Sequence, residues 1–141
     1  MGALDLSGLP EGALLLIDNA PIVYWLEQRP VLAERFWPLF ELHAAGGVQF
    51  AVATVTITDV LTGPLKKGDD ALASRYRAVM ESWRVVDLTS GIAEDAARLR
   101  ARLNLKLADA VQAASALAIN ADAPVTHDRD FTRVSALRVI A

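Results

Sequence analysis

Four aspartates carry the side chains of this sequence best suited to chemistry, and each is expected to lie where a strand ends or a helix begins. Asp18 follows the apolar run 14–17, Asp59 and Asp109 fall early in predicted helices, and Asp128 comes just after the apolar segment 123–126. The carboxyl ends of parallel strands and the N-termini of the helices that follow them share one edge of an α/β sheet. The four carboxylates can therefore converge on one site.

Converging carboxylates point to a divalent cation. They repel one another and raise each other's pKa unless a positive charge neutralises them. Mg²⁺ and Mn²⁺ prefer oxygen ligands, and an ion of this kind that activates water can hydrolyse a phosphodiester. Each aspartate also has a structural interpretation, because acids at helix N-termini cap the helix or offset its dipole, and Asp128 suits an Asx turn. Spacing alone leaves both interpretations open.

The elements that must position these residues alternate along the chain. Apolar runs predict strands at 14–17, 48–55, 84–88, 123–126 and 137–140. Helical periodicity predicts helices over 19–28, 31–45, 56–61, 71–83, 92–103 and 107–118, with Asn19 capping the first and Gly63-Pro64 ending the third. Strands alternating with helices predict an α/β fold with a parallel sheet covered on both faces.

Composition restricts the class of protein. The 141 residues fit a single domain over 1–141, with 1–12 expected to be flexible or loosely packed. A hydrophobic fraction of 53% with 22% charged residues excludes general disorder, and the lack of cysteine excludes disulfides and thiolate metal sites. No apolar run reaches the roughly 20 residues of a membrane helix, and we expect a cytoplasmic protein. The net charge of −3 excludes coating of nucleic acid by bulk electrostatics.

The segments around the four aspartates resemble the motifs of the PIN domain family. Leu-Ile-Asp18-Asn-Ala-Pro resembles the first motif, Thr-Ile-Thr-Asp59-Val-Leu the second, and Leu-Ala-Asp109-Ala-Val-Gln the third. Val-Thr126-His-Asp128-Arg-Asp-Phe resembles the closing Thr-x-Asp-x-x-Phe. The similarity runs in motif order from about residue 14 to 139 and is nearest to small bacterial PIN proteins of the VapC toxin type.

This resemblance implies a three-layer α/β/α sandwich with a central, mostly parallel sheet. It also implies an endoribonuclease that hydrolyses RNA with a water activated by Mg²⁺ or Mn²⁺, acting as the toxin of a VapBC-type pair restrained by a cognate antitoxin. Residue by residue, Asp18, Asp109 and Asp128 match metal-site acids, Asp59 occupies the acidic position of the second motif, and Thr126 matches a supporting threonine.

Two departures from the family pattern keep other hypotheses open. The second motif normally carries Glu, which is one methylene longer than Asp59, and Asn19 stands where Thr or Ser is usual. The chain is therefore either an active nuclease or a catalytically weak PIN domain that binds an antitoxin or RNA. A third hypothesis, a phospho-accepting receiver domain, requires a lysine after a late strand, but no lysine follows Lys106.

Polar neighbours of the predicted site have two interpretations each. Asn19 either positions a ligand water or caps a helix, and Asp130 either contacts the metal or its water or shapes the turn. Arg129 and Arg133 are either ordinary solvated surface charges or contacts for RNA phosphates, and they are the first candidates for such contacts because they flank the predicted site.

The aromatic residues of the first two helices raise the question of a partner surface. They are Tyr24, Trp25, Phe36, Trp37 and Phe40. Core packing explains some of them, and the others could form a groove for a partner helix or the face of a homodimer, which we expect to form.

Overall fold

A parallel four-stranded sheet forms the centre of the computed structural model, which describes residues 4–127, 133–135 and 137–141. Its strands are β1 (Ala13–Ile17), β2 (Val48–Ala53), β3 (Arg84–Val86) and β4 (Ala123–Val125). The order across the sheet is β3-β2-β1-β4, and each neighbouring pair is parallel. The predicted parallel sheet is confirmed, with β1 and β2 as its inner strands.

Helices cover both faces of this sheet. They are α1 (Asn19–Leu26), α2 (Pro30–Ala44), α3 (Thr54–Lys66), α4 (Asp70–Glu81), α5 (Ser90–Leu103) and α6 (Leu107–Ala118). Side chains alternate along β1, so Leu15 and Ile17 pack in a cluster with α1 to α4, whereas Leu16 packs with α5 and α6. Two cores on opposite faces of one sheet confirm the α/β sandwich.

Helix α6 lies close to its neighbours because its buried face consists largely of alanine. Ala110, Ala113, Ala114 and Ala116 are all buried, and the helix packs against α5, β1 and β4. Small side chains let helix backbones approach one another closely, so α6 lies directly against its neighbours from Ala110 onward.

The third helix does not end where the sequence predicts. Helix α3 continues through Gly63 and Pro64 to Lys66, so the expected break is wrong. Proline has a helix-compatible φ and gives up one intrahelical hydrogen bond. The ring of Pro64 is buried, and this packing offsets the missing bond.

The predicted closing strand over 137–140 is also absent from the described residues. Only Ile140 pairs there, through a bridge to Val125 in which Thr126 N–H donates to the Ile140 carbonyl at 2.9 Å. The Ile140 N–H donates in turn to the carbonyl of Pro124. Because β4 has three residues and Pro124 has no N–H to donate, it cannot support a longer ladder on this side.

Core packing accounts for most of the aromatic residues of α1 and α2. Phe36 and Phe40 are buried, and the half-buried Trp25 stacks on Phe40 with ring centroids 4.3 Å apart. Tyr24 is half-buried against Phe36. Trp37, which is 46% exposed, is the one member of this set on the surface.

The segments at the two ends of the chain lie against the same core. Leu4, Leu6 and Leu9 pack on the cluster that contains Leu15. The Arg138 guanidinium donates to the carbonyls of Asp5 and Ser7, at 3.3 and 2.6 Å.

None of the helices in the described ranges has the length and apolar character needed to cross a membrane.

His43 is expected to make folding stability depend on pH. Its ring stacks on Phe50 with centroids 4.1 Å apart, and burial lowers its pKa below the usual 6.5. The unfolded chain therefore takes up a proton that the folded chain resists, so stability falls as the pH drops through 6.5 and levels off below the folded pKa. Urea unfolding at pH 7.5 and 5.5 should show a larger loss for the wild type than for His43→Phe, and an equal loss would contradict this assignment.

Candidate active site

An open cleft of about 360 Å³ lies at the carboxyl ends of the central strands. The chain runs from β1 to β2 and β3 on one side and then crosses to β4 on the other side of β1, so the strand order reverses beside β1. Ligands of α/β proteins bind in the crevice outside the strands at such a point. The cleft is lined by Asp18, Asn19, Ala20, Asp59, Lys106, Ala108, Asp109 and His127.

Asp18 joins the end of β1 to the start of α1. Its backbone N–H donates to the Val125 carbonyl at 2.9 Å, which ties it to the end of β4. With φ −81° and ψ 168° it has the extended conformation of an N-cap, and its Oδ1 accepts from the Asn19 N–H at 2.7 Å. The prediction that Asn19 caps α1 is wrong, because Asn19 is the first helical residue and the preceding aspartate is the cap.

Both carboxylate oxygens of Asp18 accept hydrogen bonds from buried side chains. The Thr126 hydroxyl donates to Oδ2 at 2.9 Å, and the Gln112 amide donates to Oδ1 at 3.2 Å. The same amide nitrogen donates to the hydroxyl oxygen of Thr56. Gln112, Thr56 and Thr126 are all buried, so the orientation of the Asp18 carboxylate is fixed from behind the cleft.

Asp109 and Asp59 enter the cleft from two different helices. Asn104, with φ +53°, ends α5 in the left-handed conformation, and α6 then starts at Leu107 with Asp109 in its first turn. Asp109 is half-buried and its Oδ2 is buried. Asp59 lies in the second turn of α3 and is exposed, although it lines the same cleft.

The remaining predicted site residues divide into two groups. Asp128, Arg129 and Asp130 lie outside the residues that the structure describes. Arg133 is exposed and donates to the Leu103 carbonyl at 3.2 Å, so it lies at the turn between α5 and α6 and not among the lining residues of the cleft. The structure thus brings Asp18, Asn19, Asp59 and Asp109 to one cleft, with Thr126 directly behind it.

The donor groups of the cleft suit a hard divalent cation. Carboxylate oxygens are the ligands that Mg²⁺ and Mn²⁺ prefer, and Mg²⁺ is commonly held by one or two carboxylates while it keeps several waters. Within the described ranges, no three acidic or histidine side chains come close enough together to hold an ion by themselves. Asp18 and Asp109 could therefore supply two carboxylate ligands to such a cation, and its other ligands would have to come from water or from further residues.

Sequence reasoning missed three polar residues of this region. Lys106 lines the cleft and places a positive charge beside the acids. Gln112 follows Asp109 by three positions on α6, and Thr56 precedes Asp59 by three on α3. Residues three apart share a helix face, so this spacing was a signal that could have identified both.

Comparison with known proteins identifies the family. The PIN domain family profile matches residues 15–137. This chain belongs to the PIN domain family. The match covers all four motif aspartates, including the three that line the cleft. No protein of curated function matches the sequence.

Solved structures with the same fold include PIN domains of low sequence identity. A toxin–antitoxin complex from Klebsiella pneumoniae is 22% identical, with a TM-score of 0.69 over 88% of this chain and 95% of that one. VapBC2 from Rickettsia felis, bound to a promoter DNA fragment, is 20% identical, with a TM-score of 0.71 over 89% and 96%. VapC20 of Mycobacterium tuberculosis, a toxin that cleaves the sarcin-ricin loop, is 16% identical, with a TM-score of 0.68 over 85% and 94%.

Proposed function

We propose that this PIN domain is a Mg²⁺- or Mn²⁺-dependent endoribonuclease and the toxin of a VapBC-type toxin–antitoxin pair. The observation that carries the proposal is the cleft in which acids of three family motifs, Asp18, Asp59 and Asp109, come together. The buried hydrogen bonds that orient Asp18 also support the proposal. A metal ligand needs a fixed orientation, whereas a solvated surface acid does not.

In the proposed mechanism, Asp18, Asp109 and Asp128 would hold the cation, and Asp59 would contribute from the rim of the cleft. When bound, the ion supplies Lewis-acid activation of water and neutralises negative charge on the phosphodiester. Thr126 and Gln112 keep the Asp18 carboxylate in one orientation, so little reorganisation is needed when substrate arrives. Because water is the nucleophile in this mechanism, no residue of the protein has to form a covalent bond with the RNA.

Positive side chains near the cleft are proposed to hold the RNA backbone. The chain carries a net charge of −3, so attraction of RNA must come from local cations and the metal ion. Lys106 lies on the cleft wall, and Arg133 lies at the α5–α6 turn that precedes α6. We propose that these two residues, together with Arg129, contact RNA phosphates on either side of the bond that is cleaved.

A cognate antitoxin and a second copy of the chain are the proposed protein partners. Two of the structures with the same fold are described as a toxin–antitoxin complex and as VapBC2. We propose a cytoplasmic homodimer whose activity an antitoxin restrains. Size measurement by light scattering tests the dimer without reference to the nuclease activity.

A second candidate function is a catalytically weak PIN domain that binds an antitoxin or RNA. Two observations favour it: Asp59 is exposed, and it is one methylene shorter than the glutamate usual in the second motif. The two candidates differ in a measurable way, since the binding module would retain affinity for RNA without cutting it.

An RNA-cleavage assay with and without metal tests the nuclease proposal. We expect the purified protein to cut members of a structured RNA panel in Mg²⁺ or Mn²⁺ and to lose this activity in EDTA, with recovery when excess metal is restored. Cleavage that persists in EDTA would contradict metal dependence. Binding of RNA without cleavage in either metal would favour the second candidate.

A further inference from the structure

We infer that Gln112 is a positioning residue of the active site. Its buried side-chain amide orients the Asp18 carboxylate and fixes the positions of α6 and α3 relative to Asp18. The inference rests on the proposed metal site, because it assigns Gln112 a role in preparing Asp18 for a cation. The family motifs were recognised by their aspartates, so the resemblance assigns no role to Gln112.

The contacts of Gln112 are those of a donor with two fixed acceptors. Its Nε2 lies 3.2 Å from Asp18 Oδ1 and contacts Thr56 Oγ1, and its side chain is 3% exposed. An ionised carboxylate only accepts hydrogen bonds, so the NH₂ end of the amide must face Asp18. One hydrogen of this group serves the carboxylate, and the other serves the threonine.

The position of Gln112 links three elements that carry site acids. Asp18 follows β1, Asp109 lies one turn before Gln112 on α6, and Asp59 lies one turn after Thr56 on α3. A single amide therefore bridges the two helices directly beneath the side chains that line the cleft. Movement of α6 away from α3 would break the bridge and remove the buried side-chain donor from Oδ1 of Asp18.

Thr126 supports the opposite oxygen of the same carboxylate. Its hydroxyl donates to Oδ2 at 2.9 Å, so side chains from α6 and from the end of β4 hold the Asp18 carboxylate together with the backbone N–H of Asn19. Outer groups that orient a ligand carboxylate typically change metal affinity by 10–100-fold when they are removed. We expect a loss in this range for Gln112→Met, which keeps the approximate length of the side chain and removes both hydrogen bonds.

Calorimetric titration with Mn²⁺, without RNA, tests the inference on the intact chain. Gln112→Met should bind Mn²⁺ at least about tenfold more weakly than the wild type at a temperature where circular dichroism shows both folded. Ser115→Ala is the matched control, since Ser115 is buried on the same helix and donates to the Val111 carbonyl at 2.7 Å. The control changes a buried polar group that donates within its own helix, so it should keep the wild-type affinity.

A second readout on the wild type covers the case in which Gln112→Met does not fold. The side-chain NH₂ signals of Gln112 in a ¹H–¹⁵N NMR spectrum should shift during titration with Mg²⁺, because the ion withdraws charge from the carboxylate to which they donate. Signals that stay fixed while Asp109 signals move would overturn the role of Gln112.

The outcomes separate this inference from the proposed function. Equal Mn²⁺ affinity in the wild type and Gln112→Met would overturn the positioning role and leave the metal site standing. A loss of affinity in Ser115→Ala as large as in Gln112→Met would reduce the effect to general destabilisation and also overturn it. Absence of Mn²⁺ binding by the wild type would overturn the metal site itself, and the inference with it.

Discussion

Replacing Asp109 with asparagine is expected to lower the rate of RNA cleavage by about 10²–10³-fold, the scale at which a preorganised electrostatic group is lost from an active site. The substitution keeps the shape of the side chain and removes its negative charge. Asp109 enters the cleft from the first turn of α6 with one carboxylate oxygen buried. Because the α6 backbone is anchored by its alanine face, the variant should fold normally.

The matched control for this experiment is Asp95→Asn. Asp95 is an exposed acid on α5 and is not among the residues that line the cleft. The control removes the same charge from the same chain, so it should cleave RNA at the wild-type rate. Equal rates for Asp109→Asn and the wild type would remove Asp109 from the mechanism, whereas a matching loss in Asp95→Asn would indicate a net-charge effect.

Substitutions of Asp59 are expected to have the second large effect on the rate of RNA cleavage. The direction of this change in rate distinguishes the two candidate functions. The carboxylate is exposed at the rim of the cleft and is one methylene shorter than the glutamate usual in this motif. If it contributes to the metal site through water, Asp59→Ala should lower the cleavage rate by about 10–100-fold, as for other outer groups of metal sites. Asp59→Glu should keep at least the wild-type rate.

Two outcomes of the Asp59 series are informative. A wild-type rate in Asp59→Ala would make Asp59 an ordinary solvated residue and contradict its place in the site. A gain of several orders of magnitude in Asp59→Glu would indicate that the natural domain is catalytically weak, which favours the binding module. Asp95→Ala serves as the control and should match the wild type.

Much of the fold could be predicted because it depends on local pattern. The run around Leu15 is too short for a helix and too apolar for an exposed strand, so it had to be an inner strand of a covered sheet. Boundaries failed where tertiary packing overrode local preference, as at the buried Pro64 inside α3 and at Ile140, whose strand partner offers too few donors.

The cleft's acids were predictable from the sequence, and the family resemblance also gave Thr126 as a supporting residue, but Gln112 was missed. Strand exits and helix starts place Asp18 and Asp109 at one edge of the sheet, and the cleft lies there. Gln112 and Thr56 share helix faces with Asp109 and Asp59, but the two residues are separated by 56 positions, and their contact forms only when α6 packs beside α3. The capping role went to Asp18 and not Asn19 because the backbone turns into α1 one residue earlier than expected.

Calorimetric titration of Mn²⁺ into the wild type, Asp109→Asn and Asp95→Asn tests the central claim most directly. The claim is that the acids of the cleft form a site for a divalent cation. We predict that the wild type and Asp95→Asn bind Mn²⁺ alike and that Asp109→Asn loses the binding. Absence of binding by all three proteins, or undiminished binding by Asp109→Asn, would contradict the claim.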